Sequence, residues 1–390
     1  MHDVFSWILT FSMLMLCYIY VIFPGVMYLL TLIPIYRSEK VQKYRSIAVV
    51  IPSHNEEKVI EEKIENHLKL EYIGKYKIYV LCDSCSDRTV ALAKSYEEKF
   101  PEMLEVFEVE GGLGKTNAIN QLVPRLKEDV IVFTDANVML DSSALERVNI
   151  ALDQDSVGGV AGQLTYVNAE LGGAAESNGL YWKYEEVIKK GEAIYGSLMG
   201  ADGSIFAIKT KYYRQLPTHV LDDFSTSMGV VAQGALFKFD DSIKAYEKGA
   251  ESNSEEFSRK VRISNRSYNS YLNMRKEILS KLSLVELTKF YSHKVIRWYS
   301  FLFMISTLVS STFLALMGNG FAVFLILGQA IFYLMAIIHH IDLLKPGTKI
   351  YKLGNIIYYF VMVNLAAMIG VVKSLRGEKI STWKKAESSR

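Results

Sequence analysis

Cysteine is scarce in this chain, with three among 390 residues. Cys17 lies in an apolar N-terminal segment, while Cys82 and Cys85 form a C-x-x-C sequence. So few cysteines exclude a disulfide framework, and reduced thiols in a cytosolic domain are expected. A lone C-x-x-C without a second pair of ligands also argues against a zinc site, so we expect two small residues in a loop.

Charge of one sign is not in excess either. Lys and Arg total 44, Asp and Glu total 42, and the formal net charge is +2. A balance this even provides no bulk attraction to phosphate backbones, so no nucleic-acid partner is expected. The seven histidines show no recurring His/His or His/Glu spacing, which argues against a histidine metal site.

Long apolar runs, in contrast, are present at both ends. Residues 5–36 contain no charged side chain, and such a run exceeds the roughly 20 residues that span a bilayer. The run is too long, and lacks the preceding basic region, for a cleaved signal peptide. We therefore expect a transmembrane helix, which Pro24-Gly25 kinks or ends early.

The basic residues around that helix predict its orientation. Asp3 precedes the helix, whereas four basic residues follow it. These are Arg37, Lys40, Lys43 and Arg45. Because cytoplasmic flanks carry the excess of Lys and Arg, we expect the N-terminus outside and the following domain in the cytoplasm.

Three apolar segments close the chain, at residues 299–317, 320–341 and 355–372. The uncharged link Gly318-Asn319 predicts a tight hairpin between the first two. The next link and the C-terminal tail are both basic, which is a conflict if the last segment spans the membrane. Two interpretations stay open: a re-entrant or interfacial last segment, or one violation of the charge bias.

The segment before them, residues 280–298, mixes apolar side chains with basic ones. The basic residues are Lys281, Lys289, His293, Lys294 and Arg297. This mixture is typical of a basic amphipathic helix in the membrane interface. The alternative is a helix packed on the soluble core.

Between the two ends, strands alternate with helices, which predicts βαβ units and a mostly parallel sheet. Expected strands are residues 47–51, 77–81, 104–109, 130–133, 157–167 and 205–208, and expected helices are 56–70, 87–99, 115–126 and 174–195. Residues 240–270 are polar with mixed charges, and no domain linker stands out there.

The strand at residues 130–133 is the one around which the site is organised. It is apolar, bounded by acidic residues, and followed by Asp135 and Asn137. In open α/β sheets, ligands bind at the carboxyl ends of strands. Two neighbouring oxygen donors there suit Mg²⁺ or Mn²⁺ that also contacts phosphates. Taken alone, the segment is equally compatible with a metal site and with a strand that is simply followed by an Asp/Asn turn.

Four further motifs fall where a strand meets a loop. They are PSHNEE at residues 52–57, CDSCSDRT at 82–89, GGLGKTNAIN at 111–120 and LDDF at 221–224. The glycine-rich motif is not a P-loop, because Val109 stands where the Walker pattern requires glycine. A glycine loop before a helix is still a suitable neighbour for a diphosphate.

In this order, and together with Asp135 and Asn137, these motifs resemble those of the inverting glycosyltransferases of family 2, which have a GT-A fold. The resemblance covers about residues 46–265, and the flanking apolar segments are similar to those of membrane-bound polysaccharide synthases. Three departures stand out. Cys82 replaces a common aspartate, the D-x-D motif reads D-x-N, and the E-D pair reads Asp222-Asp223. The Q-x-x-R-W motif of cellulose and hyaluronan synthases is missing, and Arg259 or Arg262 is its nearest substitute.

The resemblance implies a role for each motif. Asp223 is the expected general base, beside Asp222, which would raise its pKa by like-charge repulsion. Asp135 and Asn137 are the expected ligands of Mg²⁺ or Mn²⁺. The residues expected to bind the nucleotide sugar are Pro52, Asn55, Glu56, Asp83, Asp87, Lys115, Asn120, Asp135, Arg259 and Arg262. Those expected to bind the acceptor are Gly200, Asp202 and Trp182.

We therefore expect an α/β, Rossmann-like GT-A domain at residues 46–278. A transmembrane helix and basic link would occupy residues 1–45, and an interface helix, transmembrane segments and a basic tail residues 279–390. The resemblance implies a bacterial inner membrane, a UDP-sugar donor, and a polysaccharide or lipid-linked acceptor. Three or four helices are few for an export channel, so a second copy or an export partner would complete one.

Two other functions stay open. A transferase that makes a single addition to a lipid would add one sugar and give no ladder of products. A sensor or scaffold that has lost catalysis would bind UDP without turnover, and the D-x-N departure motivates this alternative.

Overall fold

The computed structural model describes residues 1–34, 41–112, 114–168, 173–249 and 252–380. Several predicted features lie outside these residues. They are Arg37 and Lys40 of the basic link, Leu113 of the glycine-rich motif and the basic tail from residue 381.

The expected N-terminal apolar helix is present. α1 spans His2–Cys17, a π-helical turn follows at Tyr18–Ile22, and α2 spans Phe23–Thr31. Together they form 30 residues with a mean hydropathy of 2.1, long and apolar enough to cross a membrane. Of the two effects expected of Pro24-Gly25, an early end of the helix does not occur. Proline lacks an N–H, and the wide π turn just before it accommodates the missing hydrogen bond, so the helix continues.

The middle of the chain folds around an eight-stranded sheet. Its strands are β1 Ile47–Ser53, β2 Tyr76–Asp83, β3 Leu104–Val109, β4 Val130–Phe133, β5 Met139–Leu140, β6 Val157–Tyr166, β7 Phe206–Lys209 and β8 Leu236–Glu247. Their order is β3-β2-β1-β4-β7-β6-β8-β5.

The sheet is mixed, and the expectation of a mostly parallel sheet is confirmed, since four of its seven strand pairings are parallel. β1 to β4 form a parallel half, and β6 is parallel to β8. β7 is antiparallel to both β4 and β6, and β5 is antiparallel to β8. An apolar run reveals that a strand is buried but does not encode its direction, so the sequence pattern could not distinguish the two halves.

Helices cover both faces of the sheet. They are α3 Ile60–Leu68, α4 Thr89–Lys99, α5 Lys115–Leu122, α6 Ala144–Ala151, α7 Gly173–Ile194 and α8 Asp222–Ala232. β1 contributes to a hydrophobic core on each side: Ala48 and Val50 enter one, while Ile47, Val49 and Ile51 enter the other. Alternate side chains of a single strand therefore hold two layers of helices together.

The polar region at residues 240–270 contains two elements that the sequence pattern did not predict, β8 and α9 (Asn253–Lys281). The buried hydrophobic residues of α9 are few, namely Tyr268, Met274 and Ile278. The others it buries are polar or charged, such as Asn265 and Arg266. A helix that buries polar residues gives no apolar periodicity to recognise.

The segment expected in the membrane interface consists of α10 Leu284–Phe290, a π turn at Tyr291–Val295 and α11 Ile296–Trp298. Its cations face the protein. Lys289 Nζ donates to three carbonyl oxygens at and just beyond the C-terminal end of α7, at 2.7–3.0 Å. Arg297 pairs with Glu185 at 2.6 Å. These contacts favour the alternative of a helix packed on the soluble core, because the end of α7 presents carbonyls and carboxylates that favour positive partners.

Three helices close the described chain: α12 Ser300–Leu316, α13 Gly320–His340 and α14 Lys349–Leu375. α13 and α14 are long and apolar enough to cross a membrane. The segment Leu284–Trp298 forms with α12 a pair bent by 57°, which is a broken span or a re-entrant loop. Gly318, with φ of 81°, makes the predicted tight turn between α12 and α13.

The last helix packs on a polar neighbour. Asn265 Nδ2 of α9 donates to the Gly370 carbonyl at 3.3 Å and to Ser374 Oγ at 3.0 Å. Tyr359 OH donates to Glu256 Oε1 at 3.3 Å. α14 therefore lies along α9 from residue 359 to residue 374, which favours the re-entrant or interfacial interpretation of this segment.

The contact between α2 and α7 generates a prediction. A Cβ at Gly191 would lie 2.5 Å from the Met27 carbonyl oxygen and 2.7 Å from its Cα. Because the obstacle is backbone, Gly191→Ala must push the two helices apart, at a cost of about 1–3 kcal/mol for overpacking. We expect a lower thermal unfolding midpoint of the purified protein in detergent.

Gly25→Ala on α2 is the matched control, since a Cβ there meets nothing within 4 Å. Its midpoint should equal or exceed that of the wild type, because alanine favours a helix over glycine. An unchanged midpoint for Gly191→Ala would contradict the close contact.

Candidate active site

The carboxyl ends of β1, β2 and β4 and the N-terminal ends of α5 and α8 meet at one edge of the sheet. β1 pairs in parallel with β2 and β4, so the loops that follow these strands emerge side by side. A cavity of about 780 Å³ opens there. The predicted site residues that line it are Pro52, Glu56, Lys115, Asp135, Asn137, Trp182, Gly200, Asp202, Asp222, Asp223, Arg259 and Arg262.

Lys115, the first residue of α5, lies at the centre of this edge. Its ammonium is 2.8 Å from Asp135 Oδ1 and 3.1 Å from Asp222 Oδ2. Lys115 and Asp222 are buried, whereas the Asp135 side chain is 38% exposed. One cation thus joins the end of β4 to the start of α8 and leaves Asp135 accessible from the cavity.

Asp222 and Asp223 are adjacent in sequence but differ in acidity. Burial favours a higher pKa for Asp222, but the positive charges of Lys115 and Arg266 bring it below its usual value. Burial and the neighbouring charge on Asp222 raise the pKa of Asp223 to about 7. Like-charge repulsion therefore acts on Asp223, and desolvation is the larger cause. A carboxylate with a pKa near neutrality is suited to accept a proton.

Gly203 keeps the space beside two of these carboxylates open. A Cβ at this position would lie 3.0 Å from Asp135 Oδ2 and 3.4 Å from Asp223 Oδ2. Asp135 and Asp223 therefore flank one small volume that only a residue without a side chain leaves unfilled.

The predicted metal ligands, Asp135 and Asn137, have an acidic neighbour. Asn137 Nδ2 donates to Glu247 Oε1 at 3.0 Å, at the end of β8. Carboxylate and amide oxygens without sulfur or imidazole fit Mg²⁺ or Mn²⁺. In the described part of the chain, no group of three or more His, Cys, Asp or Glu is placed to hold a metal ion. Phosphate oxygens of a ligand would therefore have to complete the coordination.

Lys63 of α3, which no motif singled out, is fully buried beneath the 135–137 turn. Its ammonium donates to Thr134 Oγ1 at 2.9 Å and to the Val138 carbonyl oxygen. These acceptors flank the turn, so one side chain fixes both of its ends. Burial lowers the pKa of Lys63 well below its usual range, against the opposing effect of Asp135 and Glu247.

Asn55 and Asp87 were predicted to bind the nucleotide. They connect two loops and do not line the cavity. Asn55 Oδ1 accepts a hydrogen bond from the backbone N–H of Ser86 at 2.7 Å, and Asp87 Oδ2 accepts one from the backbone N–H of Glu57 at 3.1 Å. These bonds connect the loop after β1 to the loop after β2. Asn55 and Asp87 thus hold together two loops at the edge of the site, from outside the cavity.

The side chains of Asp83 and Asn120 also form hydrogen bonds with backbone groups of neighbouring loops. Asp83 Oδ2 accepts from the Gly114 N–H at 3.0 Å, which holds the glycine-rich loop. Asn120 Oδ1 accepts from Tyr213 OH at 2.8 Å and from the Leu216 N–H at 3.0 Å, and its Nδ2 donates to the Leu216 carbonyl. Asn120 thus holds a neighbouring loop and does not line the cavity, and its contact with the nucleotide stays a prediction.

The opposite wall of the cavity is cationic. Arg259 and Arg262 of α9 line it. Arg266, which was not predicted, donates from Nη2 to Thr116 Oγ1 at 2.9 Å and from Nε to the Val220 carbonyl at 3.2 Å. The spacing 259, 262, 266 places all three on one helix face, a signal that becomes visible only once α9 is recognised as a helix.

The predicted acceptor residues lie where α7 meets the loop at residues 200–204. Asp202 pairs with Lys189 at 2.6 Å, and the Lys189 ammonium lies 4.2 Å from the centre of the Trp182 ring. Gly200 has φ of +104°, a conformation that other residues rarely adopt, and a Cβ there would approach Phe224 to 2.7 Å. Lys189 was not predicted. A contact of Asp202 with a sugar stays a prediction.

The mixed α/β sheet with helices on both faces is the architecture expected of the GT-A class of fold. The chain is similar in structure to a mannosyltransferase from Pyrobaculum calidifontis, solved in complex with GDP-Man and Mn²⁺. The TM-score is 0.70 over 95% of this chain and 99% of that chain, at 16% identity. This likeness confirms the expected fold.

The sequence comparison identifies the family of the domain. Residues 48–216 match the family model of glycosyl transferase family 2. This part of the chain is therefore a family 2 domain, and the resemblance drawn from the motifs is confirmed.

Curated relatives align over part of the chain. "Probable glycosyltransferase YdaM" of Bacillus subtilis is 30% identical over 34% of this chain and 32% of its own length. A beta-monoglucosyldiacylglycerol synthase of Trichormus variabilis is 29% identical over 35% and 29%. A poly-beta-1,6-N-acetyl-D-glucosamine synthase of Staphylococcus aureus is 29% identical over 27% and 24%. The chain thus matches about a third or less of the length of each relative.

The position of Lys63 leads to a prediction. Lys63→Met would leave Thr134 Oγ1 and the Val138 carbonyl without their shared donor, at a cost of about 1–3 kcal/mol for unsatisfied buried groups. We expect a lower unfolding midpoint and also a weaker dependence of nucleotide binding on Mn²⁺, because the 135–137 turn loses its support. Calorimetric titration with UDP, with and without Mn²⁺, measures the second effect.

Lys69→Met is the matched control, since Lys69 lies at the exposed end of the same helix. It is expected to match the wild type in both measurements. A Lys63→Met protein with unchanged metal dependence would show that Lys63 does not position the turn.

Proposed function

We propose that this protein is an inverting glycosyltransferase that moves a sugar from a nucleotide sugar to an acceptor at the membrane. The observation that carries the proposal is that one cavity contains groups suited to bind a diphosphate and, beside them, a carboxylate suited to accept a proton. Lys115 and Asp135 provide a cationic and metal-binding end, and Asp223, whose pKa is raised to about 7, provides a base beside it. Family 2 motifs over residues 48–216 support the same assignment.

The reaction needs no covalent nucleophile. An acceptor hydroxyl oxygen attacks the anomeric carbon, and its proton passes to the Asp223 carboxylate. The bond between the anomeric carbon and the phosphate oxygen breaks, and its electron pair leaves with the nucleoside diphosphate. Because attack comes from the face opposite the leaving group, the configuration inverts.

The leaving diphosphate carries negative charge that the site must neutralise. Lys115, Arg262 and Arg266 supply fixed positive charge near the α5 end of the cavity. Asp135 and Asn137 would hold Mg²⁺ or Mn²⁺, which would act as a Lewis acid on the phosphate oxygens. Asp222 keeps Lys115 in place, since the two groups lie 3.1 Å apart.

The acceptor belongs to the membrane side of the molecule. The cavity is lined not only by the sheet edge but also by Tyr20 of the N-terminal helix and by Val363, Asn364 and Ala367 of α14. An acceptor that reaches Asp223 therefore passes residues of the apolar helices. The motif resemblance favours a UDP-sugar as donor, a cytoplasmic catalytic domain, and a growing polysaccharide or a lipid-linked sugar as acceptor.

The function is tested by release of UDP from the purified protein with a panel of UDP-sugars, Mg²⁺ or Mn²⁺, and membrane lipids. We expect metal-dependent release with one donor. Asp223→Asn should reduce it by at least about 10²-fold, the scale of a lost general base, while UDP still binds. Asp155→Asn, an exposed carboxylate outside the cavity, should match the wild type.

Product size separates the remaining alternatives. A ladder of products indicates polymerisation, and one added sugar indicates a single-addition enzyme. UDP binding without release of UDP from any donor would indicate a nucleotide-sugar sensor and not an enzyme. Absence of UDP binding, with and without metal, would contradict the UDP-sugar assignment.

The acidity of Asp223 predicts the pH dependence of the reaction. The base acts only when deprotonated, so kcat/KM should rise with pH through about 7 and level off above it. Asp222→Asn removes the repulsion that helps to raise this pKa, and the rise should move to lower pH. A pH profile of initial rates measures both, and an unshifted rise in Asp222→Asn would contradict the coupling.

A further inference from the structure

The D-x-N turn carries one negative charge where a D-x-D motif carries two. Asp135 is its carboxylate, and Lys115 already contacts one oxygen of that carboxylate at 2.8 Å. Asn137 offers a neutral amide oxygen. Because Mg²⁺ and Mn²⁺ are hard cations that prefer carboxylate and phosphate oxygens, a turn with one shared carboxylate is a weak metal site on its own. A second carboxylate has to come from another part of the fold.

Strand pairing brings such a carboxylate to the turn. β5 begins at Met139, two residues after Asn137, and pairs antiparallel with β8 through Met139 and Tyr246. Glu247, the residue after Tyr246 and the last of β8, therefore lies beside the turn. Its backbone carbonyl accepts a hydrogen bond from the Val167 N–H at 2.9 Å. The position of Glu247 is thus fixed by the sheet.

The Glu247 side chain is buried and still faces the cavity. The residue is 7% exposed, and it lines the cavity together with Asp135 and Asn137. Its Oε1 accepts a hydrogen bond from Asn137 Nδ2 at 3.0 Å. Among the described residues, this is the one hydrogen bond that the carboxylate accepts, and no cation lies within 4.0 Å of it.

The positive charge that acts most strongly on Glu247 is that of Arg259, and other carboxylates share it. The Arg259 guanidinium lies 3.9 Å from Glu256 and is also attracted by Asp135. A buried carboxylate whose close partner is a neutral amide is unfavourable unless a further cation approaches it. Glu247 therefore marks a place at the cavity where a cation can bind.

The separation of Asn137 and Glu247 fits two ligands of one metal ion. Neighbouring oxygens of an octahedral Mg²⁺ site, each about 2.1 Å from the ion, lie about 3.0 Å apart. Asn137 Nδ2 and Glu247 Oε1 are 3.0 Å apart. Half a turn of the Asn137 amide places its Oδ1 where Nδ2 now lies, because the two ends of an amide have nearly the same shape. Two oxygens at the spacing of metal ligands then face each other.

We propose that Glu247 is a ligand of the divalent metal and supplies the negative charge that Asn137 lacks. The inference rests on the proposed function, since it concerns the metal that would contact the donor diphosphate. Asp135 and Glu247, on either side of Asn137, give the site two anionic ligands, and phosphate oxygens complete the coordination. The D-x-N departure is then compensated within the fold and is no sign of lost catalysis.

The test is the effect of Mn²⁺ on UDP binding, measured by calorimetric titration of the full-length protein in detergent, with Mn²⁺ or with a chelator. Wild-type protein should bind UDP at least about tenfold more tightly with Mn²⁺, and Glu247→Gln should lose most of this gain, since even an outer partner of a metal ligand contributes about 10–100-fold to metal affinity. With the chelator, Glu247→Gln should bind UDP at least as tightly as the wild type, because the carboxylate that repels the diphosphate is gone. Electron paramagnetic resonance of free Mn²⁺ counts the bound ions.

A second variant exchanges the two side chains. Asn137→Asp combined with Glu247→Gln keeps the total charge and a hydrogen bond between the two positions, so it should fold, and it returns the carboxylate to the turn. It should recover the Mn²⁺ dependence that Glu247→Gln lacks.

Asp241→Asn is the matched control. Asp241 lies on the same strand as Glu247 but outside the cavity, and it pairs with Lys190 at 3.1 Å. Its UDP affinity should equal that of the wild type both with Mn²⁺ and with the chelator.

Three results would overturn the inference. The first is a Glu247→Gln protein with the Mn²⁺ dependence of the wild type. The second is a loss of UDP affinity that is equal with Mn²⁺ and with the chelator, which would show a structural role. The third is an exchanged variant that folds without recovering the Mn²⁺ dependence.

Failure of the proposed function gives different results. If the wild type binds no UDP under either condition, the UDP-sugar donor is rejected. If the wild type binds UDP equally with Mn²⁺ and with the chelator, the metal is rejected together with the role of Glu247, and UDP release in the presence of the chelator then decides whether transfer occurs.

Discussion

The interaction on which the rest of the site depends is the contact of the Lys115 ammonium with two carboxylates, Asp135 and Asp222. These three groups belong to the start of α5, the end of β4 and the start of α8, so one cation fixes the relative positions of three elements. Taking charges out of water is costly, and such a group is stable only when its partners are well placed. Polar groups from three separate stretches of sequence therefore have to meet for any of them to be buried.

The same contact separates the roles of two neighbouring carboxyl groups. Asp222 lies against Lys115 and is held in its charged form. Asp223 is one residue further on, faces the cavity, and has no cation of its own within ion-pair distance among the described residues. Environments that push two carboxyl pKa values apart are the usual way in which one group becomes structural and the other exchanges protons.

Sequence reasoning located the parallel half of the sheet and most of the cavity, because those strands are continuous apolar runs that end in polar motifs. It missed Lys63 and Glu247 for a physical reason. Lys63 lies on a charged helix, where a lysine is ordinarily solvated, and Glu247 ends a strand whose outward residues are charged. Both are recognised only when the turn at residues 135–137 is seen between them. The inward direction of Lys289 and Arg297 was likewise hidden, since composition cannot tell a protein carboxylate from a lipid phosphate as the partner.

The direct contact between Met27 and Gly191 has a consequence for how the protein meets its substrate. Because no side chain separates the two backbones at this point, α2 packs directly on α7, and α7 carries Trp182, Glu185 and Lys189 into the cavity. With α2 embedded in a bilayer, the cavity wall that α7 forms would stand at a constant height above the lipid surface. An acceptor head group would then have to be long enough to extend from the lipid surface to the cavity. Shorter head groups would be excluded, however well their chemistry matched.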